Sequence, residues 1–131
     1  MLSPNELEVM DLLWTEDRAL TRTEIINLSP NKSWKPSTIH LLLNSLLKKE
    51  VIRVDGFKQT GKNYGRTFAA AITRAAYTAQ ELSQRFPKDA TSGQVNFVGV
   101  FAAMVKDAQI DEATLNELQQ ILDEKKRTLK E

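Results

Sequence analysis

Ser37, Thr38, His40, Leu41 and Asn44 lie within eight residues, spaced three and four apart. At helical pitch that spacing gathers small, polar or methyl-bearing side chains on one face. Each type has a partner on the edge of a DNA base pair. An asparagine amide matches adenine N6 and N7, Thr38 and Leu41 can meet thymine methyls, and Ser37 and His40 can donate to a base. The same face holds no arginine, so bidentate guanine readout is not expected there. Around this cluster stand cations able to sit over phosphates: Lys35, Lys48, Arg53, Lys58, Lys62 and Arg66. Lys32 to Arg66 carries eight cations against two anions, a net +6, on a chain whose total is +1. Such a concentrated basic segment fits nucleic-acid contact through one face, most simply a double-stranded DNA site.

The elements that must position these residues can be read from caps and periodicity. Ser3, Pro4 and Glu6 form a capping box with proline at the first helical position, followed by Leu7, Met10 and Trp14 on one face. Thr21 and Glu24 repeat the box for a short second helix that Pro30 ends, and Ala19-Leu20 before it suits a very short strand. Pro36 opens a third helix. Its stripe of Ile39, Leu42, Leu43, Leu46 and Leu47 is the face expected in the core. Ser37, Thr38, His40, Leu41, Asn44, Ser45 and Lys48 are expected on the opposite face, with Lys48 and Lys49 as a cationic helix end. Val51 to Val54 and Arg66 to Phe68 are short strand candidates. The Gly- and Lys-bearing stretch 55–65 between them reads as a wing, rather long for a tight hairpin.

Helix, short helix, helix, strand, basic loop and strand is the order of a winged helix-turn-helix. Beyond it, Thr73 caps an expected fourth helix reaching Phe86, Pro87 stops it, and 88–93 form a linker. A fifth helix, 94–106, is apolar on most sides and must therefore be buried. Asp111 caps the last helix, with Ile110 and Leu115 as a hydrophobic staple and Leu115, Leu118, Ile121 and Leu122 as its stripe. One small domain offers little to bury the fifth helix against. The expectation is an α+β chain, mostly α: a winged helix-turn-helix DNA-binding domain at 1–72, followed by a helical dimerisation arm at 73–131. The expected homodimer interface holds Phe97, Phe101, Met104, Leu118, Ile121 and Leu122.

Other chemistries find little support. The chain has no cysteine and one histidine, His40, so thiolate catalysis, disulfides and Cys- or multi-His zinc sites are excluded. No cofactor is expected. Acidic pairs such as Glu6/Glu8 and Asp111/Glu112 sit at helix starts, where the dipole accounts for them. Trp14 and Trp34 read as packing residues. No apolar run nears the roughly 18 residues of a membrane span, and no secretion signal is visible, so a cytoplasmic location is expected. Two rival readings stay open. One is a winged-helix protein-interaction module without DNA binding. The other is an enzyme or ligand-activated sensor with a pocket near the fifth helix.

The chain also resembles a family: the bacterial penicillinase and methicillin-resistance repressors, with the related copper-transport repressors. The matching pieces are Leu2-Ser3 with Glu6-Leu7-Glu8-Val9-Met10 and Trp14; Trp34-Lys35-Pro36-Ser37-Thr38-Ile39; Leu46-Leu47-Lys48-Lys49; Gly65-Arg66-Thr67-Phe68; and Glu117-Leu118-Gln119-Gln120-Ile121-Leu122 within a dimerisation-like run from Phe101 to Glu124. The resemblance implies a homodimeric transcriptional repressor on an inverted-repeat operator. It also implies release by a regulatory protease or, in the copper branch, by metal. The copper branch uses a C-terminal cysteine cluster that this chain lacks, which excludes that route. The proteolytic cut of the antibiotic branch falls at an Asn-Phe bond, where the alignment places Ala103-Met104. Members of that family often carry a basic residue near the position of Ser45.

Overall fold

A computed structural model of the chain describes residues 1–86 and 97–131. The expected linker 88–93, Pro87 and the first residues of the fifth helix lie outside the described residues. The element order is α1 (Pro4–Glu16), β1 (Leu20–Thr21), α2 (Arg22–Leu28), a 3-10 turn (Pro36–Thr38), α3 (Ile39–Lys48), β2 (Ile52–Thr60), β3 (Asn63–Ala70), α4 (Arg74–Ser83), α5 (Phe97–Asp107) and α6 (Glu112–Lys130). This is a winged helix with further helices after it.

Both expected capping boxes form. The Ser3 hydroxyl accepts from the Glu6 amide at 3.2 Å, and the Glu6 carboxylate accepts from the Ser3 amide at 2.8 Å. Thr21 and Glu24 exchange the same pair of bonds at 3.1 and 2.9 Å. Each box satisfies helix-end donors that α1 and α2 cannot satisfy internally. Pro36 starts a 3-10 turn rather than the α-helix itself, and α3 begins at Ile39. Its stripe faces inward as expected: Ile39, Leu43 and Leu46 are buried, with Leu42 and Leu47 packed partly against them. They meet Val9, Met10 and Leu13 of α1, Leu20, Ile25 and Phe68 in one apolar cluster. Trp34, also buried in that cluster, acts as packing, as the sequence suggests.

The wing differs from expectation. It is not a long loop but a tight hairpin. β2 and β3 pair antiparallel from Ile52↔Ala70 out to Thr60↔Asn63, leaving Gly61 and Lys62 as a two-residue turn. Gly61 takes φ +65, a left-handed conformation that glycine adopts without strain. The glycines at 56 and 65 sit within the strands; a register shift between Val54 and Gly56 absorbs Asp55 as a bulge. β1 joins as the third strand, order β1-β3-β2, through Leu20↔Phe68 and Thr21↔Thr67.

The chain divides into two compact units, Met1–Ser83 and Gln84–Glu131. α4, grouped with the arm from sequence alone, falls in the first. The Trp14 indole donates to the Ile72 carbonyl at 2.8 Å, and its ring lies 5.9 Å from that of Tyr77 on α4. These contacts span 58 and 63 positions of chain, which local periodicity does not reveal. The Thr73 hydroxyl caps α4 by accepting from the Ala76 amide, and the helix stops at Ser83, short of Phe86. In the second unit Asp111 accepts from the Thr114 amide at 2.8 Å and caps α6. No residue of α5 or α6 is buried within the single chain, so the burial expected of α5 is not met by its own chain. Among the described residues no helix is long and apolar enough to cross a membrane.

Candidate nucleic-acid interface

Turning the leucine stripe of α3 inward necessarily turns His40, Leu41 and Asn44 outward. All three are exposed, Leu41 at 61%. Ser37, in the 3-10 turn, is exposed too. Thr38 differs: it is half-buried, and its hydroxyl donates to the Lys35 carbonyl at 2.7 Å. The proline-started turn uses that hydroxyl locally. Ser45, expected on the outer face, turns inward and donates to the Glu6 carboxylate at 2.7 Å.

A groove of about 470 Å³ runs between α3 and the hairpin. His40 and Asn44 line it from α3, Arg22 and Thr23 from the start of α2, and Tyr64 and Arg66 from β3. Arg22, Thr23 and Tyr64 were missed from sequence. Arg22 follows the Thr21 cap directly, so the capping box that placed α2 could have flagged it. Tyr64 needed the true strand register: it pairs with Gln59, and alternation puts it on the face of Arg66. Tyr64 and Phe57 are both 71% exposed.

The cations separate into two groups. Lys35, Lys48 and Lys62 are exposed and have no acidic partner among the described residues. Lys62 occupies the hairpin turn. Arg66 lies over the Phe68 ring, 5.2 Å from its centroid, which steadies the guanidinium without neutralising it. The second group is already engaged. Arg53 pairs with Asp55. Lys58 donates to Glu24 at 2.9 Å. Lys49, read as part of a cationic helix end, instead donates to Glu6 at 2.8 Å and to the Met1 carbonyl at 3.0 Å.

Two carboxylates organise this surface. Burial alone would raise the pKa of Glu6, but hydrogen bonds from Lys49, Ser3 and Ser45 outweigh it and bring the carboxyl down to about 2. The hydrogen bond from Lys58, with that from the Thr21 backbone, holds Glu24 at about 2 as well. Carboxylates so acidic are permanent acceptors rather than proton-transfer groups. A second cleft, about 680 Å³, is lined by Trp14, Arg18, Arg53 and Arg74 among others. Each of these guanidiniums is engaged, Arg18 by Glu16, Arg53 by Asp55 and Arg74 by the Trp14 ring.

The expected interface set of the second unit is uncovered. Phe97, Phe101, Met104, Ile121 and Leu122 are exposed and Leu118 is half-buried. Phe97 stacks against Phe101 with centroids 6.1 Å apart, one helical turn on.

A three-helix body, a two-residue-turn wing and an outward polar helix face beside it define a winged helix-turn-helix regulator. The chain belongs to the penicillinase repressor family, whose model matches residues 2–124. It is 30% identical to the penicillinase repressor of Bacillus licheniformis over 99% of this chain and 95% of that protein. It is 28% identical to an uncharacterized 16.5 kDa protein of Latilactobacillus sakei, over 99% of this chain and 84% of the other. Membership makes the chain a transcriptional repressor of the penicillinase-repressor type, a regulator rather than an enzyme.

Proposed function

We propose that the chain acts as a homodimer that binds an inverted-repeat operator and blocks transcription there. The observation that carries this reading is the exposed face of α3, with Leu41 and Asn44 open beside the groove and unpaired lysines flanking it. α3 enters the major groove. Asn44 takes an adenine edge, Leu41 a thymine methyl, and His40 and Ser37 donate to bases or phosphates. Thr38 contributes its methyl, since its hydroxyl is used in the turn. Lys35, Lys48, Lys62 and Arg66 meet phosphates and set register and affinity.

The second copy is held through α5 and α6, where Phe97, Phe101, Met104, Leu118, Ile121 and Leu122 supply an apolar surface that the single chain leaves open. Two-fold symmetry then sets half-sites about one helical turn, or a multiple of it, apart. The name of the Bacillus licheniformis relative makes a penicillinase gene the first operator to try. Release by a regulatory protease, which the resemblance to the antibiotic-resistance repressors implies, would act by separating the DNA-binding unit from the segment that pairs it, at a bond other than Asn-Phe, since Ala103-Met104 stands at that place.

The test is selection from random duplexes followed by a gel shift on the winner. A two-fold symmetric motif, bound by a species that sediments as a dimer, is the expected result. Binding of all duplexes alike, or a monomer at micromolar concentration, removes the reading.

A further inference from the structure

The wing projects beyond the sheet that supports it. The last pair between β1 and β3 is Thr21↔Thr67; from there outward, residues 57–66 form a two-stranded ribbon alone. An isolated hairpin of that kind is only marginally ordered in water. It nevertheless forms one wall of the groove beside α3. Among the described residues, one side chain outside the sheet bonds to this ribbon. Glu24, at the third position of α2, uses one carboxylate oxygen to cap Thr21 at 2.9 Å and the other to accept from Lys58 at 2.9 Å. Lys58 pairs with Gly65, the third residue pair back from the turn. Arg18 reaches the same carboxylate oxygen at 3.5 Å from the segment before β1. One side chain therefore joins the helix start, the β1 corner and the outer half of the wing.

We infer that Glu24 is a positioning residue for DNA binding: its contact with Lys58 tethers the wing to α2 and sets the width of the groove beside α3. The inference rests on the DNA-binding reading above and narrows it. Lys58 spends its charge on Glu24 and is not one of the phosphate contacts. The tether and the plain electrostatic alternative predict opposite signs. An anion near a DNA-binding face repels phosphate, so removing it should tighten binding everywhere. If Glu24 holds the wing, removing its charge loosens the wing and weakens operator binding even though repulsion falls.

The test uses the full chain with Glu24→Gln, Lys58→Met and the pair combined. Glutamine still completes a capping box, so α2 is kept; an unchanged melting temperature checks this. Two readouts are taken: hydrogen exchange of amides 57–66 without DNA, and affinity for the selected operator and a random duplex across salt concentrations. Expected are a severalfold faster exchange in all three variants and a three- to tenfold loss on the operator. The double variant should be no worse than either single, and Lys58→Met should leave the salt slope unchanged. Tighter binding by Glu24→Gln, or a slope flattened by about 0.9 in Lys58→Met, overturns the tether and returns Lys58 to the phosphate contacts. Unchanged exchange overturns it without reference to DNA. Faster exchange in a protein that binds no duplex keeps the tether and removes the DNA-binding reading instead.

Discussion

Met1–Ser83 and Gln84–Glu131 are made of similarly apolar sequence and end in opposite conditions. The first buries Val9, Met10, Leu20, Ile25 and Leu46 completely, and its exposed large apolar groups, Met1, Leu41, Phe57 and Tyr64 foremost, lie outside a closed core. In the second, Phe97, Val98, Met104, Ile121 and Leu129 are each more than half exposed and nothing in α5 or α6 is buried. What separates the two is geometry. Three helices and a sheet can enclose a core, whereas two helices have one contact face each and leave the remainder to water. That open apolar surface is what the proposed homodimer would cover. The first unit closes its core within one chain; under the proposed homodimer the second would close its own against a second copy.

The sharpest way to break that contrast is Phe101→Asp. Under the proposed homodimer it places an unpaired charge in an apolar contact, a cost of several kcal/mol. The variant should sediment as a monomer where the parent is a dimer, while the near-ultraviolet spectrum of the first unit is kept. A variant that still dimerises moves the interface away from α5.

Leu46→Ala probes the other side. Leu46 is fully buried, and its truncation should cost about 2–5 kcal/mol. Because that core is closed within one chain, the loss in melting temperature should be the same at every protein concentration. A concentration-dependent loss would mean that the first unit also depends on a partner.

Acid sharpens the contrast further. Glu6 ties α1 to α3 through Lys49 and Ser45 and has a pKa of about 2 against an ordinary 4.5. A pKa depressed by folding contributes stability that is full above about 4.5 and drains away as pH falls toward 2. The size is on the order of 3 kcal/mol. Parent and Glu6→Gln should differ by that amount at neutral pH and converge near pH 2, as read by chemical denaturation of the first unit. A constant difference across that range would show that glutamine loses packing rather than charge.

Legibility in the sequence follows the range of each interaction. Ser3 with Glu6, Thr21 with Glu24 and Asp111 with Thr114 are three residues apart, and all three caps were readable. The α3 stripe was readable for the same reason. The outward face was readable only as its complement, which is why Thr38 and Ser45 departed from it. Thr38 answers to the proline turn, and Ser45 to a carboxylate 39 positions away. The wing was misjudged because Gly56 and Gly65 resemble loop residues until paired with Thr67 and Lys58 across the hairpin. The cations were the hardest to sort. Lys58 and Lys49 look the same in sequence as Lys62 and Lys48. Only the fold brings Glu24 and Glu6 to the first pair, across 34 and 43 residues.

The smallest effect expected is the most selective. Asn44 is exposed and lines the groove, and among the described residues its side chain has no hydrogen-bond partner, so Asn44→Ala should leave the stability of both units unchanged. Its amide is free to pair with an adenine edge, and losing one such contact should cost about 1–3 kcal/mol on the cognate site. Random duplexes, held through Lys35, Lys48, Lys62 and Arg66, should bind as before with the same salt slope. Dimerisation should also be untouched, because the residue belongs to the unit that is complete alone. Site selection with parent and variant decides the matter: the variant should lose discrimination at one base pair in each half-site, at symmetry-related positions. If both proteins select the same motif with equal discrimination, Asn44 reads no base. The specificity of α3 would then have to come from Leu41, His40 and the deformation of DNA against the wing.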